Sequence, residues 1–187
     1  MANVAAYGTR YAMTYHQPRR TMKNMPETQH DATDRAILDV LQREGRTANV
    51  DLAETVSLSP SSCLRRTKAL EAEGLITGYH AELDRERAGL GLTVFISLKV
   101  AQHSRATSRE IEAALTAIPA VVACHVVSGE ADFFVEAVVP SLSSYEQLLL
   151  DEILAIEPVT DARSTFAIRT VVSRGPLPLD HWRTRGR

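Results

Sequence analysis

A cluster of hydroxyl and basic side chains lies between Ser59 and Lys68, and its chemistry suits contact with nucleic acid. Serine side chains are short enough for a groove to approach the backbone closely. An arginine guanidinium can donate paired hydrogen bonds to phosphate or to guanine. The candidate DNA-binding residues are Ser59, Ser61, Ser62, Arg65, Arg66 and Lys68. The alternative is a solvated helix face, because most charged residues on helices only face water.

A second polar stretch, Ser128-Gly129-Glu130-Ala131-Asp132, has the pattern of a turn that could bind an amino acid. Backbone N–H groups at a Gly-x-x-Asp turn can donate to a carboxylate, and the acidic side chain can accept from an ammonium group. Those are the two charged groups of an α-amino acid. The alternative is a plain hairpin turn in which the aspartate only caps the backbone.

The cysteines and histidines do not predict catalysis or a metal site. Cys63 and Cys124 are far apart and in no CxxC pattern, which predicts a reducing cytoplasm. Cys124-His125 lacks a third ligand nearby, and Cys63 falls on a predicted buried helix face, so packing roles are favoured over a metal, a nucleophile or a redox switch. The sequence has no phosphate-binding glycine motif and no nucleophile elbow. We expect no enzyme activity, no cofactor and no metal.

Two short helices are predicted to position the basic cluster. Asn49 is a candidate cap for the first, and Ser59-Pro60 marks the start of the second. Serine at the N-cap accepts a hydrogen bond from an unpaired amide, and proline fits the first helical position. The second helix is predicted to reach Glu73 and to stop at Gly74. Two helices joined in this way form a helix-turn-helix, whose second helix enters the major groove.

One more helix and a hairpin are predicted beside this pair. Helical periodicity begins at Asp34 and ends at Gly45, a candidate C-cap. Residues 75–83 have the pattern of a strand, a turn and a second strand. Such a hairpin would be the wing of a winged helix-turn-helix.

The second half of the chain predicts an α+β, ferredoxin-like βαββαβ domain. The predicted strands are 92–100, 121–127, 132–139 and 159–172. Capping boxes at Thr107-x-x-Glu110 and Ser143-x-x-Glu146 are predicted to start the two helices, and Pro119 and Pro158 to end them. Such a sheet has helices on one face only, so a second copy of the chain is the expected cover of the other face.

Composition limits the classes of protein that fit. The chain has 187 residues, 44% of them hydrophobic, which suffices for one domain or for two small ones. A formal net charge of -2 excludes a wholly basic nucleic-acid coat, so any DNA contact must come from a local cluster. No apolar run approaches the roughly 20 residues that cross a bilayer, and no secretory signal is visible.

These patterns divide the chain into five segments. They are an N-terminal extension (1–30), a winged helix-turn-helix domain (31–83), a linker (84–91), a βαββαβ domain (92–172) and a C-terminal tail (173–187). The extension is predicted to be mobile. Either translation starts later, at Met22 or Met25, or the extension is a basic arm that adds phosphate affinity. Trp182, in the tail, is not explained by any pattern.

Several motifs, in order and at matching spacing, resemble the Lrp/AsnC family of transcriptional regulators. They are Asp34–Leu38, Leu58–Arg66, Leu70–Tyr79 and Cys124–Phe134, within a resemblance that covers about residues 31–172. The resemblance implies a DNA-binding winged helix-turn-helix joined to a βαββαβ effector and assembly domain. It also implies homodimers that pair through their sheets, higher rings that are commonly octamers, and pseudo-palindromic operators.

The family resemblance also assigns roles to residues. Arg66 matches a recurrent arginine of the recognition helix. An amino-acid effector is implied at an interface between dimers, near the turn, and the implied effector-binding residues are Ser128, Gly129, Glu130, Asp132 and Ser164. Two departures are that Glu130 stands where aspartate is common and Thr67 where an aliphatic residue is usual. The last strand and the tail are most similar to members that control branched-chain amino acid or lysine catabolism.

Three functions therefore compete. The first is a sequence-specific regulator of amino-acid metabolism genes, gated by a small effector, with double-stranded DNA and a second copy of itself as partners. The second is an architectural protein that compacts DNA with little sequence preference, favoured by basic residues in both terminal segments. The third is a metabolic protein that senses or transforms an amino acid, although residues 92–172 show no catalytic constellation.

Overall fold

A computed structural model describes residues 30–101, 104–180 and 182, and the predictions for residues 1–29 lie outside this range. The chain divides into two compact units. Of the described residues, the first unit contains 30–79, 176–180 and 182, and the second unit contains those of His80–Gly175. In the described residues, no helix is both long enough and apolar enough to cross a membrane.

The first unit contains three helices, of which α1 is Ala32–Leu41. Its cap is a reciprocal pair. The Asp31 carboxylate accepts from the N–H groups of Thr33 and Asp34, and the Asp34 carboxylate accepts from the N–H of Asp31 at 3.2 Å. This capping box satisfies N–H groups that the first turn leaves unpaired. The helix ends before Gly45, so the prediction of Gly45 as its C-cap was wrong.

Helix α2 is Asn49–Thr55, and its N-cap is Ala48, not Asn49 as the sequence suggested. The Asn49 amide instead donates to the carbonyl of Pro60 at 2.9 Å. An asparagine one position inside the helix is free to reach the neighbouring helix, because capping requires the non-helical position before it. Asn49 thus ties the start of α2 to the start of the third helix.

Helix α3 is Pro60–Ala72, and here the predicted start is confirmed. Ser59 is the N-cap and its hydroxyl accepts from the N–H of Ser62 at 3.3 Å, with Pro60 at the first helical position. Gly74 follows the helix with φ +73°, a left-handed conformation that suits glycine.

The predicted wing hairpin at 75–83 is not present, since the described residues before Leu92 contain no strand. The reason is local. The N–H groups of Leu75 and Ile76 both donate to the carbonyl of Leu70, which closes the end of α3. The Tyr79 hydroxyl donates to Glu71 at 3.0 Å. The chain after α3 therefore turns back on the helix before it can pair with itself.

The C-terminal residues 176–180 and 182, hereafter the strap, complete the core of the first unit. That core consists of Ile37, Leu38, Leu52, Ala53, Cys63, Leu70 and Trp182. Trp182 is only 8% exposed, and its ring stacks on His30 with centroids 5.2 Å apart. The strap is also held by polar contacts with α1: Asp180 pairs with Arg35, and the N–H of Leu177 donates to the Gln42 side chain at 2.6 Å. Burial in this core is the role of Trp182 that the sequence did not reveal.

The second unit has the predicted βαββαβ order, with a four-stranded antiparallel sheet arranged β2-β3-β1-β4. Its strands are β1 (Leu92–Val100), β2 (Val121–Val126), β3 (Phe133–Val139) and β4 (Val159–Phe166). Its helices are α4 (Arg105–Ala117) and α5 (Leu142–Gln147), the latter continued by a π-helical segment, Leu148–Ile153. Strand β1 lies at the centre between β3 and β4.

Both capping boxes predicted for this unit were wrong by two or three residues. Ser104 caps α4 and accepts from the N–H of Thr107, and Ser141 caps α5 and accepts from the N–H of Ser144. Thr107 is therefore a donor in the first turn and not a cap. In both cases the serine hydroxyl caps the helix without the glutamate of a capping box.

Strand β4 ends at Phe166 and not at the predicted residue 172. The N–H of Ala167 donates to the carbonyl of Thr93, near the start of β1. Beyond this bond β1 offers no partner, so the chain from Ile168 leaves the sheet with its side chains exposed.

The alternation of β1 is confirmed by burial. Val94, Ile96 and Leu98 are fully buried on the face that α4 and α5 cover, in one core with Ile111 and Leu115 of α4. The opposite face carries Phe95 and Phe134, whose rings stack 5.7 Å apart, with Phe134 37% exposed. At one end of this face the linker residue Arg85 donates to Thr93 and Glu136.

Candidate nucleic-acid interface and effector turn

Helix α3 separates the predicted DNA-binding residues into two groups. Cys63 and Leu70 face the core and are buried, which leaves the opposite side of the helix to solvent. Ser61, Arg65 and Lys68 are exposed and follow one another at i, i+4 and i+7, so they form one stripe along the helix. We call these three residues the exposed stripe. Neither Arg65 nor Lys68 has an ion-pair partner among the described residues.

The three serines at the start of α3 have different environments. Ser59 is exposed, but its hydroxyl caps the helix and lies 3.3 Å from the Ser61 hydroxyl. Ser62 is half-buried, and its N–H donates to the Ser59 hydroxyl. Ser59 and Ser61 are thus both exposed at this end of the helix, and only Ser59 caps it.

Arg66, the other predicted contact, is held by two acids of α1 and its cap. Its Nη1 donates to Asp34 Oδ1 at 2.7 Å, and its Nη2 lies 2.9 Å from Asp31 Oδ2. The Arg66 side chain is 28% exposed, and its Nε is buried without a hydrogen-bond partner among the described residues. The two acids are those of the capping box of α1, so one cluster joins both helices.

The protonation of this cluster follows from its hydrogen bonds. The hydrogen bond to Asp34 raises the pKa of Arg66 above its ordinary value, against the opposing effect of burial. Burial alone would raise the pKa of Asp31, but the N–H of Asp34 and the Arg66 guanidinium outweigh it and lower that pKa. Asp31 and Arg66 are therefore both ionised at neutral pH.

The predicted effector turn connects β2 to β3. Gly129 has φ +135°, and Ser128, Gly129 and Glu130 are exposed. Asp132 is part of the framework: its carboxylate accepts from the N–H of Val100 at 2.9 Å, and its own N–H donates to the carbonyl of Leu98. The turn is thus fixed to the central strand by its aspartate.

Ser164 lies apart from the residues of the turn. It stands opposite Ile96 on the helix-covered face of the sheet, and its hydroxyl shares a hydrogen bond with the Tyr145 hydroxyl of α5. Its neighbour Arg163 has Nη1 4.0 Å from Glu130 of the turn. Sequence reasoning missed both Tyr145 and Arg163. Only the register of β4 shows that Arg163 lies near the turn and that Ser164 faces Tyr145 of α5.

A cleft of about 320 Å³ lies elsewhere in the second unit. It is lined by linker residues between Glu82 and Gly91, by Thr93, and by residues between Ala167 and Ser173. None of the predicted effector residues lines it.

The remaining candidate groups are structural. Cys63 is fully buried in the first core. Cys124 is half-buried against the second core, and burial, reinforced by Glu112, raises the pKa of its thiol to about 11. A thiol with that pKa is protonated at neutral pH and is a poor nucleophile. Within the described residues, no group of three or more histidine, cysteine or acidic side chains could hold a metal ion.

Comparison with known proteins places both units in known domain families. Residues 30–77 match the winged helix-turn-helix DNA-binding model, and residues 93–177 match the Lrp/AsnC ligand binding domain. The leucine-responsive regulatory protein of Salmonella typhimurium is 34% identical over 149 residues, which cover 80% of this chain and 91% of that protein. The chain belongs to the Lrp/AsnC family. As a member of this family it is a DNA-binding transcriptional regulator, with a ligand-binding domain after its helix-turn-helix.

Solved structures agree with this membership of the Lrp/AsnC family. A transcriptional regulator of Neisseria meningitidis, solved as a complex with L-Met, is 37% identical with a TM-score of 0.77, over 81% of this chain and 98% of that chain. An AsnC family transcriptional regulator from Agrobacterium tumefaciens is 34% identical with a TM-score of 0.76, over 81% and 98% of the two chains. The winged helix-turn-helix and βαββαβ predictions are confirmed at the level of the family fold.

Proposed function

We propose that this Lrp/AsnC regulator reads double-stranded DNA with the exposed stripe of α3 and controls amino-acid metabolism genes. The observation that carries the proposal is the stripe itself. Two cations without ion-pair partners among the described residues and one short hydroxyl lie on the solvent side of a helix whose other side is core. Unpaired cations on an exposed helix are available to phosphates and to base edges.

The stripe is tested by the salt dependence of DNA binding. Replacing Arg65 and Lys68 with alanine should weaken operator binding at low salt. On paired half-sites it should also reduce the slope of log Kd against log salt by about 3.6, since the two subunits together lose four phosphate contacts of about 0.9 each. The matched control is Arg109→Ala, which removes an exposed cation from α4. An unchanged slope in the double variant would show that the stripe does not meet DNA.

We propose that an amino acid binds at the turn between β2 and β3, at an interface between subunits. Ser128, Gly129 and Glu130 are exposed, so their N–H groups suit a carboxylate, and the Glu130 side chain, 91% exposed, suits an ammonium group. Named relatives respond to leucine or were solved with L-Met, so leucine and methionine are the first candidates. Ser164 then contributes indirectly, through Tyr145 and the position of β4. Regulation of this kind requires binding and no catalysis.

We propose that two copies pair through the open face of the sheet and that dimers assemble further, with an octamer as the expected ring. Helices cover only the opposite face, and the stacked pair Phe95 and Phe134 is the apolar centre of the open one. A two-fold dimer presents two copies of α3, as recognition of paired half-sites requires.

A further inference from the structure

Arg66 has neither of its hydrogen-bonding edges available for a base. An arginine reads guanine with two parallel N–H groups, either from both Nη atoms or from Nε and one Nη. The two Nη atoms already meet Asp34 and Asp31, at 2.7 and 2.9 Å. The second edge is closed because Nε is buried. Arg66 thus differs from Arg65, whose side chain is exposed one position earlier.

The acids that hold Arg66 also hold the start of α1. Asp31 accepts from two N–H groups of the first turn, and Asp34 accepts from the N–H of Asp31. The Asp34 side chain is only 13% exposed, which protects its contact with Arg66 from solvent. Charge-assisted bonds of this kind are directional, so they fix the orientation of α3 on α1 and not merely its proximity.

We infer that Arg66 is a positioning residue, which sets the angle at which α3 presents its exposed stripe to DNA and does not itself read the operator. The inference rests on the proposed DNA-reading function of that stripe. The inference and direct DNA contact by Arg66 predict opposite changes in DNA affinity when the charge of Asp34 is removed. If Arg66 contacted DNA, removing the negative charge of Asp34 would release the guanidinium and tighten binding. If Arg66 positions α3, the same change loosens the helix and weakens binding.

The experiment uses the full chain and a duplex of about 30 base pairs selected by the wild-type protein from a random pool, long enough for two half-sites one helical turn apart. The variants are Asp34→Asn and Arg66→Lys. The matched control is Asp39→Asn, which removes an acid from the same helix, where it pairs with Arg35 at 3.6 Å. Arg65→Ala serves as the reference for a direct contact. Active protein is counted by stoichiometric titration, so that a loss of folded molecules is not mistaken for a loss of affinity.

The expected result is that Asp34→Asn and Arg66→Lys each weaken binding about tenfold, the scale of one lost base contact, without changing the salt slope. In both variants the ratio of affinities for the selected and the scrambled duplex should also fall. A reoriented helix keeps its electrostatic attraction to phosphates but loses contacts with base edges. Arg65→Ala should lower the slope by about 1.8, about 0.9 for each of the two subunits on the duplex, and Asp39→Asn should bind as the wild type does.

Three results would overturn the inference. One is tighter or unchanged binding by Asp34→Asn, and another is a fall in salt slope for Arg66→Lys that matches Arg65→Ala. A third is a loss confined to the active fraction with the Kd unchanged, which would reduce Arg66 to a stability role. If the wild-type protein selects no duplex at all, the proposed function fails first and the inference falls with it.

Discussion

Gly129 combines an unusual backbone conformation with a place at the centre of the proposed effector site. Its φ of +135° lies in a region that residues with a Cβ enter at a cost of about 1–3 kcal/mol. No neighbouring atom lies within 4 Å of the position that a Cβ would occupy. The conformation, and not crowding, therefore makes this position sensitive to substitution, and the geometry of the turn depends on it.

An amino-acid screen by thermal shift tests this site at the scale of one residue. Leucine or methionine at a hundred times its Kd should stabilise the protein by about 2.7 kcal/mol and raise Tm, because the ligand binds only the folded state. Gly129→Ala should abolish the shift. Gly91→Ala is the control, since Gly91 has no positive φ and equally open surroundings. A flat response to all twenty amino acids would contradict an amino-acid effector, and a shift that survives in Gly129→Ala would place the effector elsewhere.

The limits of sequence reasoning are visible in two residues of α3. The start of the helix was predictable at Ser59, because a cap involves only the next few residues. The ion pairs of Arg66 were not, because Asp34 is 32 positions away and helical spacing places Arg66 beside Arg65 with no sign of a partner. Local sequence therefore determines where α3 starts, whereas the partners of its arginines depend on tertiary contacts.

At the scale of elements, the strap is the part of the first unit that no pattern predicted. Leu179 and Trp182 supply apolar contacts, and Asp180 and the backbone of Leu177 bond to α1. The same dependence on distant partners explains the early end of β4, whereas the hairpin predicted at 75–83 is absent because of local bonds to the end of α3. A period of two in a sequence predicts a strand, but a strand exists only where a neighbour accepts its hydrogen bonds.

Trp182→Ala should lower the free energy of unfolding of the first unit by about 3 kcal/mol, the usual cost of truncating a buried aromatic residue. Hydrogen exchange would measure this, with faster exchange in α1 to α3 and unchanged exchange in β1 to β4. In the wild type, Trp182 is the single tryptophan of the chain, so its fluorescence reports the strap directly.

The control for the strap is a chain that ends at Trp182 and keeps all its described contacts. That chain should unfold at the same urea concentration as the full-length protein. If α1 to α3 were equally protected from hydrogen exchange in Trp182→Ala and in the wild type, the strap would contact the unit without stabilising it.

At the scale of the whole molecule, the proposed pairing of two copies through the open face of the sheet can be tested by one substitution. Phe134→Glu would bury a carboxylate at the centre of the proposed dimer interface, which is strongly unfavourable without a partner charge. We expect the variant to be monomeric by light scattering and to lose cooperative binding to paired half-sites. The matched control, Ala113→Glu, adds the same charge to the exposed side of α4 and should leave the mass unchanged. A dimeric Phe134→Glu would exclude this face as the interface.

The strap also affects how the protein is made. Residues 30–79 leave the ribosome before the second unit, yet the core they belong to includes Trp182, which is synthesised after that unit. Domains usually fold as they emerge, N-terminal ones first. Here the sheet of the second unit can be complete while the first unit still lacks part of its core. A nascent chain that has not yet reached Trp182 therefore lacks part of the core of its helix-turn-helix unit, and we expect that unit to be less stable than in the full chain.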